Sequence, residues 1–231
     1  SKDSGQSTVF FYDDGHAQAL VGHFHQRFFK QCAAHHLWQL IAGMHDVFHF
    51  EQQATAEGAT RVAVGYDMRP SSPSLATAFA EGVTAQGLDV VRIGLASTDQ
   101  LYFASGLLDC PGAMFTASHN PAVYNGIKVF MEGGRDADET LTAAFEGYIR
   151  ELEGEPVETV PYEEGLAAGS IQLIDPMNDY IDSILKMVDA EAIRSRGLHV
   201  VLDPMYGVSK TALQTILLTT RCDVEVIHER R

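Results

Sequence analysis

Cysteine is scarce and scattered: Cys32, Cys110 and Cys222 are the only three, far apart and without a C-x-x-C pair. Neither a disulfide framework nor a cysteine zinc site is suggested, and a reducing, cytoplasmic setting is expected. Positive charge is also in short supply. Lys and Arg number 16 against 31 Asp and Glu, a formal net charge of -15, so the broad basic face that nucleic acid or an anionic membrane needs is missing. An anionic ligand has to be held by a few local Lys, Arg or backbone N–H groups. No apolar run approaches the roughly 20 residues of a membrane span. The chain's start lacks a basic flank, apolar block and small-residue cleavage site, so it reads as unexported.

What remains is ordinary for a globular protein: 231 residues, 45% hydrophobic and 20% charged, enough for one large or two small domains. The first part, residues 1–57, is an atypical His- and Phe-rich start. Val9-Phe10-Phe11-Tyr12 reads as a short strand closed by Asp13-Asp14-Gly15. Leu20, Phe24, Phe28, Leu37, Leu40, Ile41, Met44 and Phe48 recur at helical steps, predicting one long or two shorter helices before Gly58. Seven histidines fall here: His16, His23, His25, His35, His36, His45 and His49. Only His45 and His49 form an i,i+4 pair, with no H-E-x-x-H pattern, so ordinary imidazoles are favoured over a metal site.

Residues 58–155 read as an α/β domain. Val62 to Tyr66 is a buried-type strand, and the turn Asp67-Met68-Arg69-Pro70 leads through an N-cap serine into a helix carrying Leu75, Ala78, Phe79 and Val83. Asp89 to Gly94 is a second strand, Asp99 to Leu107 a second helix, and Gly112 to Phe115 a third strand. Strands that are continuous apolar runs, alternating with helices, predict a mostly parallel sheet layered between helices. Ile127 to Phe130 follows as an antiparallel edge strand after a Tyr124-Asn125-Gly126 turn, and Asp138 to Glu153 is expected to be helical. Residues 156–174, acidic and with Pro156 and Pro161 at or near their start, are expected to be a surface connection. Residues 175–231 open a second α/β domain: a helix from Asp175, the strand His199 to Leu202, the turn Asp203 to Gly207, a helix from Ser209 and the strand Val224 to Ile227. A second layer only one strand deep suggests a portion of a longer polypeptide.

The chemistry points to Thr116-Ala117-Ser118-His119-Asn120-Pro121, at the carboxyl end of a strand where open α/β sheets place their sites. No G-x-S-x-G elbow surrounds Ser118, so a serine hydrolase is disfavoured. His119 is a candidate base, although adjacent side chains in a loop usually point apart. Asp67 and Arg69 on the same rim, with Lys128 nearby, suit a phosphoryl group. A turn whose hydroxyl merely caps the backbone fits the same six residues.

Thr116 to Pro121 with Asn125-Gly126-Ile127-Lys128 resembles the phosphoserine loop of the α-D-phosphohexomutases, the phosphoglucomutase and phosphomannomutase family. Val64-Gly65-Tyr66-Asp67-Met68-Arg69 resembles that family's G-x-D-x-R, Gly94 to Thr98 its G-x-x-x-T, and Val201 to Gly207 the opening of its second domain. The likeness begins near Gly58. It implies an isomerase working as an intramolecular phosphotransferase: a phosphoserine at Ser118 interconverts hexose 1-phosphate and 6-phosphate through a hexose 1,6-bisphosphate primer. Lys128 would stabilise charge or shuttle a proton, His119 and Asn120 would shape the loop, and Asp67 and Arg69 would brace it or bind phosphate. Magnesium would contact Ser118 through its phosphate. The family's arginine-bearing G-T-S/D-G-x-R-G has no counterpart in residues 1–57, and its aspartate triad is absent from the chain. The isolated chain is therefore expected to be inactive, with a phosphorylated hexose and the rest of the enzyme or a second copy as partners. A non-catalytic phosphosugar-binding or interaction module is the alternative.

Overall fold

In the computed structural model the described residues are 9–12 (backbone only), 59–140, 142–143, 147 and 158–229. The expected helices of residues 17–57, with all seven histidines, lie outside them, as does most of the 138–153 helix; residues 139, 140, 142, 143 and 147 of the latter are helical.

The first unit is a seven-stranded sheet. Its centre is β2 (Arg61–Tyr66), flanked in parallel by β3 (Asp89–Leu95) and β4 (Gly112–Phe115). These are the continuous Val, Ala, Ile and Met runs that must be covered on both faces. Helix α1 (Ser72–Ala85) covers one face and α2 (Thr98–Leu108) the other. Phe79 of α1 packs with Val62, Val64, Val90, Phe115 and Ile127; Leu101 of α2 packs with Ala63, Ile93, Met114 and Phe130. Alternate strand residues thus feed alternate cores. Ser97 caps α2 in a reciprocal pair with Gln100: the Gln100 N–H donates to Ser97 Oγ (3.2 Å) and the Ser97 N–H to Gln100 Oε1 (2.9 Å).

Strand β5 (Tyr124–Met131) pairs antiparallel with β4, as expected, but it is not an edge. Its other side is taken by β1 (Val9–Tyr12), Val9 facing Ile127, and by the two-residue β6 (Arg135–Asp136). The supposed Tyr124-Asn125-Gly126 turn is part of β5. The reversal comes earlier, where the Tyr124 N–H donates to Pro121 O (3.0 Å).

Residues 156–174 also depart from the expected surface connection. They contain α3 (Tyr162–Ala168) and β7 (Ile171–Leu173), which joins β3 in parallel. Ile171, only 2% exposed, enters the core under α1, and that burial outweighs the polar composition around it.

The second unit contains α4 (Met177–Met187), α5 (Ala190–Arg196), β8 (His199–Leu202), α6 (Lys210–Thr219) and β9 (Asp223–Val226). Strands β8 and β9 pair in parallel, and Ile181, Ala212 and Ile216 form a small core. Helix α4 touches the first unit through the Tyr180 ring, 5.7 Å from that of Phe103.

Candidate active site

Because β2 and β4 are neighbours in register, with Tyr66 opposite Phe115, the residues that follow them meet at one rim of the sheet. Asp67 follows the first strand and Thr116 the second. The Asp67 N–H donates to Phe115 O (3.1 Å) and the Thr116 hydroxyl to Asp67 Oδ2 (2.7 Å). Asp67 also accepts from the Ser72 hydroxyl on Oδ1 (2.8 Å), which ties it to the first turn of α1.

Arg69 is the centre of this arrangement. It is 8% exposed, and each of its five guanidinium N–H groups has an acceptor. Nε donates to Asp67 Oδ2 (3.1 Å); Nη1 donates to Pro121 O (2.8 Å) and Tyr124 O (2.9 Å); Nη2 donates to Ser118 O (2.8 Å) and Asn120 O (2.9 Å). The planar fork matches a loop folded back on itself. Arg69 therefore braces the loop, and no guanidinium N–H remains for a ligand phosphate.

The clamp leaves Ser118 exposed, with φ 56, in left-handed backbone that a serine adopts only when its surroundings impose it. Its N–H is held by Thr116 Oγ1 (2.9 Å). The turned backbone brings Ser118 Oγ within 3.3 Å of His119 Nδ1, contrary to the expectation that these adjacent side chains diverge. Asn120 takes part through its backbone: its N–H donates to Ala117 O (3.1 Å), and its carbonyl accepts from Arg69. Lys128, 8% exposed, stands on β5 opposite Met114, and so on the α2 side of the sheet.

Supporting roles that the motif did not assign fall to Ser71, Ser72, Thr116 and Asn125. Asn125, 3% exposed, donates from Nδ2 to Ser71 Oγ (2.8 Å) and Ser72 Oγ (2.9 Å) and accepts the Gly126 N–H (2.8 Å). It thereby fastens the start of β5 to α1. The signal available in sequence was weak: a polar residue at a strand position, whose cost when buried implies dedicated partners.

A magnesium site is not formed by these residues. Among the described residues no group of three or more His, Cys, Asp or Glu could hold a metal ion. The carboxylate beside the loop, Asp67, already uses both oxygens on Arg69, Ser72 and Thr116. A hard cation seeking several oxygen ligands would find too few.

Comparisons with known proteins identify the family. The model of phosphoglucomutase/phosphomannomutase alpha/beta/alpha domain I matches residues 30–155, and that of alpha/beta/alpha domain II matches residues 178–231. The first match starts well before Gly58, so the family likeness extends into the His-rich start. The phosphoglucomutase/phosphomannomutase of Thermococcus kodakarensis is 34% identical over 73% of this chain and 36% of its own length. The phosphoglucosamine mutase of Caldanaerobacter subterraneus is 35% identical over 67% of this chain and 34% of its own length. The chain thus spans about a third of the curated relatives it matches. In fold it is similar to a phosphoglucomutase/phosphomannomutase family protein from Burkholderia thailandensis, with TM-score 0.68 and 24% identity over 87% of this chain and 41% of that one. With both domain models matched in order and the serine loop clamped at the sheet's carboxyl rim, the chain belongs to the phosphoglucomutase/phosphomannomutase family.

Proposed function

We propose that Ser118 is the phosphoryl carrier of a hexose-phosphate mutase. One observation carries this reading: the Ser118 hydroxyl is held outward on a left-handed backbone by a fully committed Asp67–Arg69 clamp. Strained backbone held in place by its surroundings clusters at functional sites.

In the proposed cycle, the bond between Ser118 Oγ and phosphorus breaks as a hydroxyl of a phosphorylated hexose bonds to that phosphorus. The hydroxyl proton passes to a base, and the sugar becomes a bisphosphate. After the sugar reorients, Ser118 Oγ attacks its other phosphoryl group, that ester bond breaks, and the serine is phosphorylated again. The net change is an isomerisation with no phosphate consumed. Positioning and charge stabilisation dominate such transfers. His119 Nδ1, 3.3 Å from Ser118 Oγ, is placed to exchange a proton with the serine, and Lys128 supplies charge. The substrate class is a hexose 1- or 6-phosphate of glucose or mannose, to which the relatives' names add glucosamine.

Intact mass spectrometry tests this on the chain joined to the remaining domains of a relative, which restore the family's aspartate triad, after incubation with magnesium and glucose 1,6-bisphosphate. A species heavier by about 80 Da, one phosphoryl group, is expected for the wild-type chain and absent from Ser118→Ala. A wild-type chain that stays unmodified, or a Ser118→Ala chain that gains the same mass, refutes the assignment.

A further inference from the structure

A second polar feature lies two strands away and takes no part in the Ser118 loop. Arg92 is on β3, two residues beyond Val90, and so points into the core under α1. It is 7% exposed, in a position where a cation almost always has a carboxylate partner. Arg92 has none: the ion pairs among the described residues involve other cations. Its guanidinium donates a single hydrogen bond, from Nη1 to Thr77 Oγ1 (3.2 Å), while Nε is buried without a partner. The rings of Tyr162 and Tyr66 lie 5.0 and 5.5 Å from its centre. They cover guanidinium surface, whereas the N–H groups lie in the guanidinium plane, off the ring faces.

Arg92 lines a cleft of about 300 Å³ together with Tyr66, Tyr162, Ile93, Leu173 and Ile174. The cleft lies toward the carboxyl ends of β2, β3 and β7, the side of an open sheet where ligands bind. Here the β2–β3 ladder skips a residue between Val64 and Gly65, and Gly94, also in the lining, takes φ 74, a conformation that suits glycine. Bulges of this kind commonly re-aim side chains beside functional sites.

We propose that this cleft binds a small carboxylate with an apolar body, at a site separate from Ser118. A planar guanidinium presents paired donors that match a carboxylate. The two phenol rings and the Ile and Leu side chains match a hydrocarbon body. A phosphate dianion fits less well, because Arg92 is the only cation in the lining among the described residues and the chain as a whole carries a net charge of -15.

The test uses benzoate, with inorganic phosphate in parallel, titrated into the full chain and followed by NMR at the Gly94 amide and the Leu173 and Ile174 methyl groups. Saturable 1:1 shifts with benzoate are expected at these positions, with affinity falling at least about tenfold in Arg92→Gln and less in Arg92→Lys. Because Arg92 is buried, Leu173→Glu provides a second variant at an exposed wall position; it puts a like charge beside the ligand and should also weaken benzoate about tenfold. Absence of saturable benzoate shifts in the wild-type chain overturns the proposal. So does undiminished binding in Arg92→Gln or Leu173→Glu, and so does phosphate binding more tightly than benzoate.

Discussion

Replacing Arg69 by Lys keeps the charge and removes the fork. The lysine ammonium has three donors on one nitrogen, so it cannot span Asp67 and the four carbonyls of Ser118, Asn120, Pro121 and Tyr124 that the guanidinium reaches together. Hydrogen bonds to a charged group contribute about 1.5–3 kcal/mol each when their partners are buried. Ser118 and Pro121 are exposed, so water replaces much of what their carbonyls lose. Counting roughly 1 kcal/mol for each of three lost carbonyl contacts puts the loop's local loss at about 3 kcal/mol. That corresponds to roughly 100-fold more frequent opening. Hydrogen exchange reads this directly, because the amides of Thr116, Ser118, Asn120 and Tyr124 are all hydrogen-bonded within the loop or to β5. They should exchange about 100-fold faster in Arg69→Lys, while central β2 and β3 amides change far less. Unchanged protection in residues 116–124 would refute the clamp.

Two further perturbations test other parts of the molecule. A Cβ at Gly165 would come within 2.6 Å of Ile171 Cδ1 and 2.8 Å of Cγ1; in Gly165→Ala, overpacking of about 2 kcal/mol outweighs a helix-propensity gain of up to about 1. The expected net loss of about 1 kcal/mol lowers Tm by about 2–4 °C, and an unchanged or raised Tm would show that α3 and β7 pack less tightly than described. At the other end of the chain, the hydrogen bond with His228 (2.9 Å), and secondarily that from the Met205 N–H, holds the Asp203 carboxyl below its ordinary 3.8. A carboxyl lowered in the folded state contributes stability above its unfolded pKa and loses it as pH falls through the folded one. Exchange at the Met205 and Tyr206 amides should therefore accelerate below about pH 3.8, beyond its intrinsic pH dependence, and Asp203→Asn should abolish that acid dependence.

Much of the first unit could be read from local pattern. The runs of β2, β3 and β4 and the apolar stripes of α1 and α2 declare themselves within windows of ten or so residues, which is where periodicity is informative. The pairing of Val9 with Ile127 has no local signal, and so β5 was expected at an edge that β1 in fact covers. Strand β7 escaped notice because three residues with one buried side chain, Ile171, look like a loop by composition. At the site, the family resemblance implied that Asp67 and Arg69 brace the Ser118 loop. It could not reveal that every guanidinium N–H is committed, since that depends on carbonyl directions. Nor could it reveal the contact between Ser118 and His119, because positive φ at a non-glycine residue is imposed by its surroundings.

That commitment constrains how the loop can work. A loop that cradles phosphate turns its backbone N–H groups outward toward the anion. Here the amides of Ser118, Asn120 and Tyr124 are spent on Thr116, Ala117 and Pro121, and all the N–H groups of Arg69 are turned onto the loop and Asp67. The Asp67–Arg69 pair is itself neutral. On the proposed reading, a dianionic phosphoryl group on Ser118 therefore gains little charge compensation from Arg69 or from these three amides. Lys128 on β5 and groups outside the loop have to provide the positive field. The device suits a carrier: a loop that bound the phosphoryl group tightly with its own donors would stabilise the phosphoserine and slow its transfer, since only interactions stronger in the transition state than in the ground state accelerate the step.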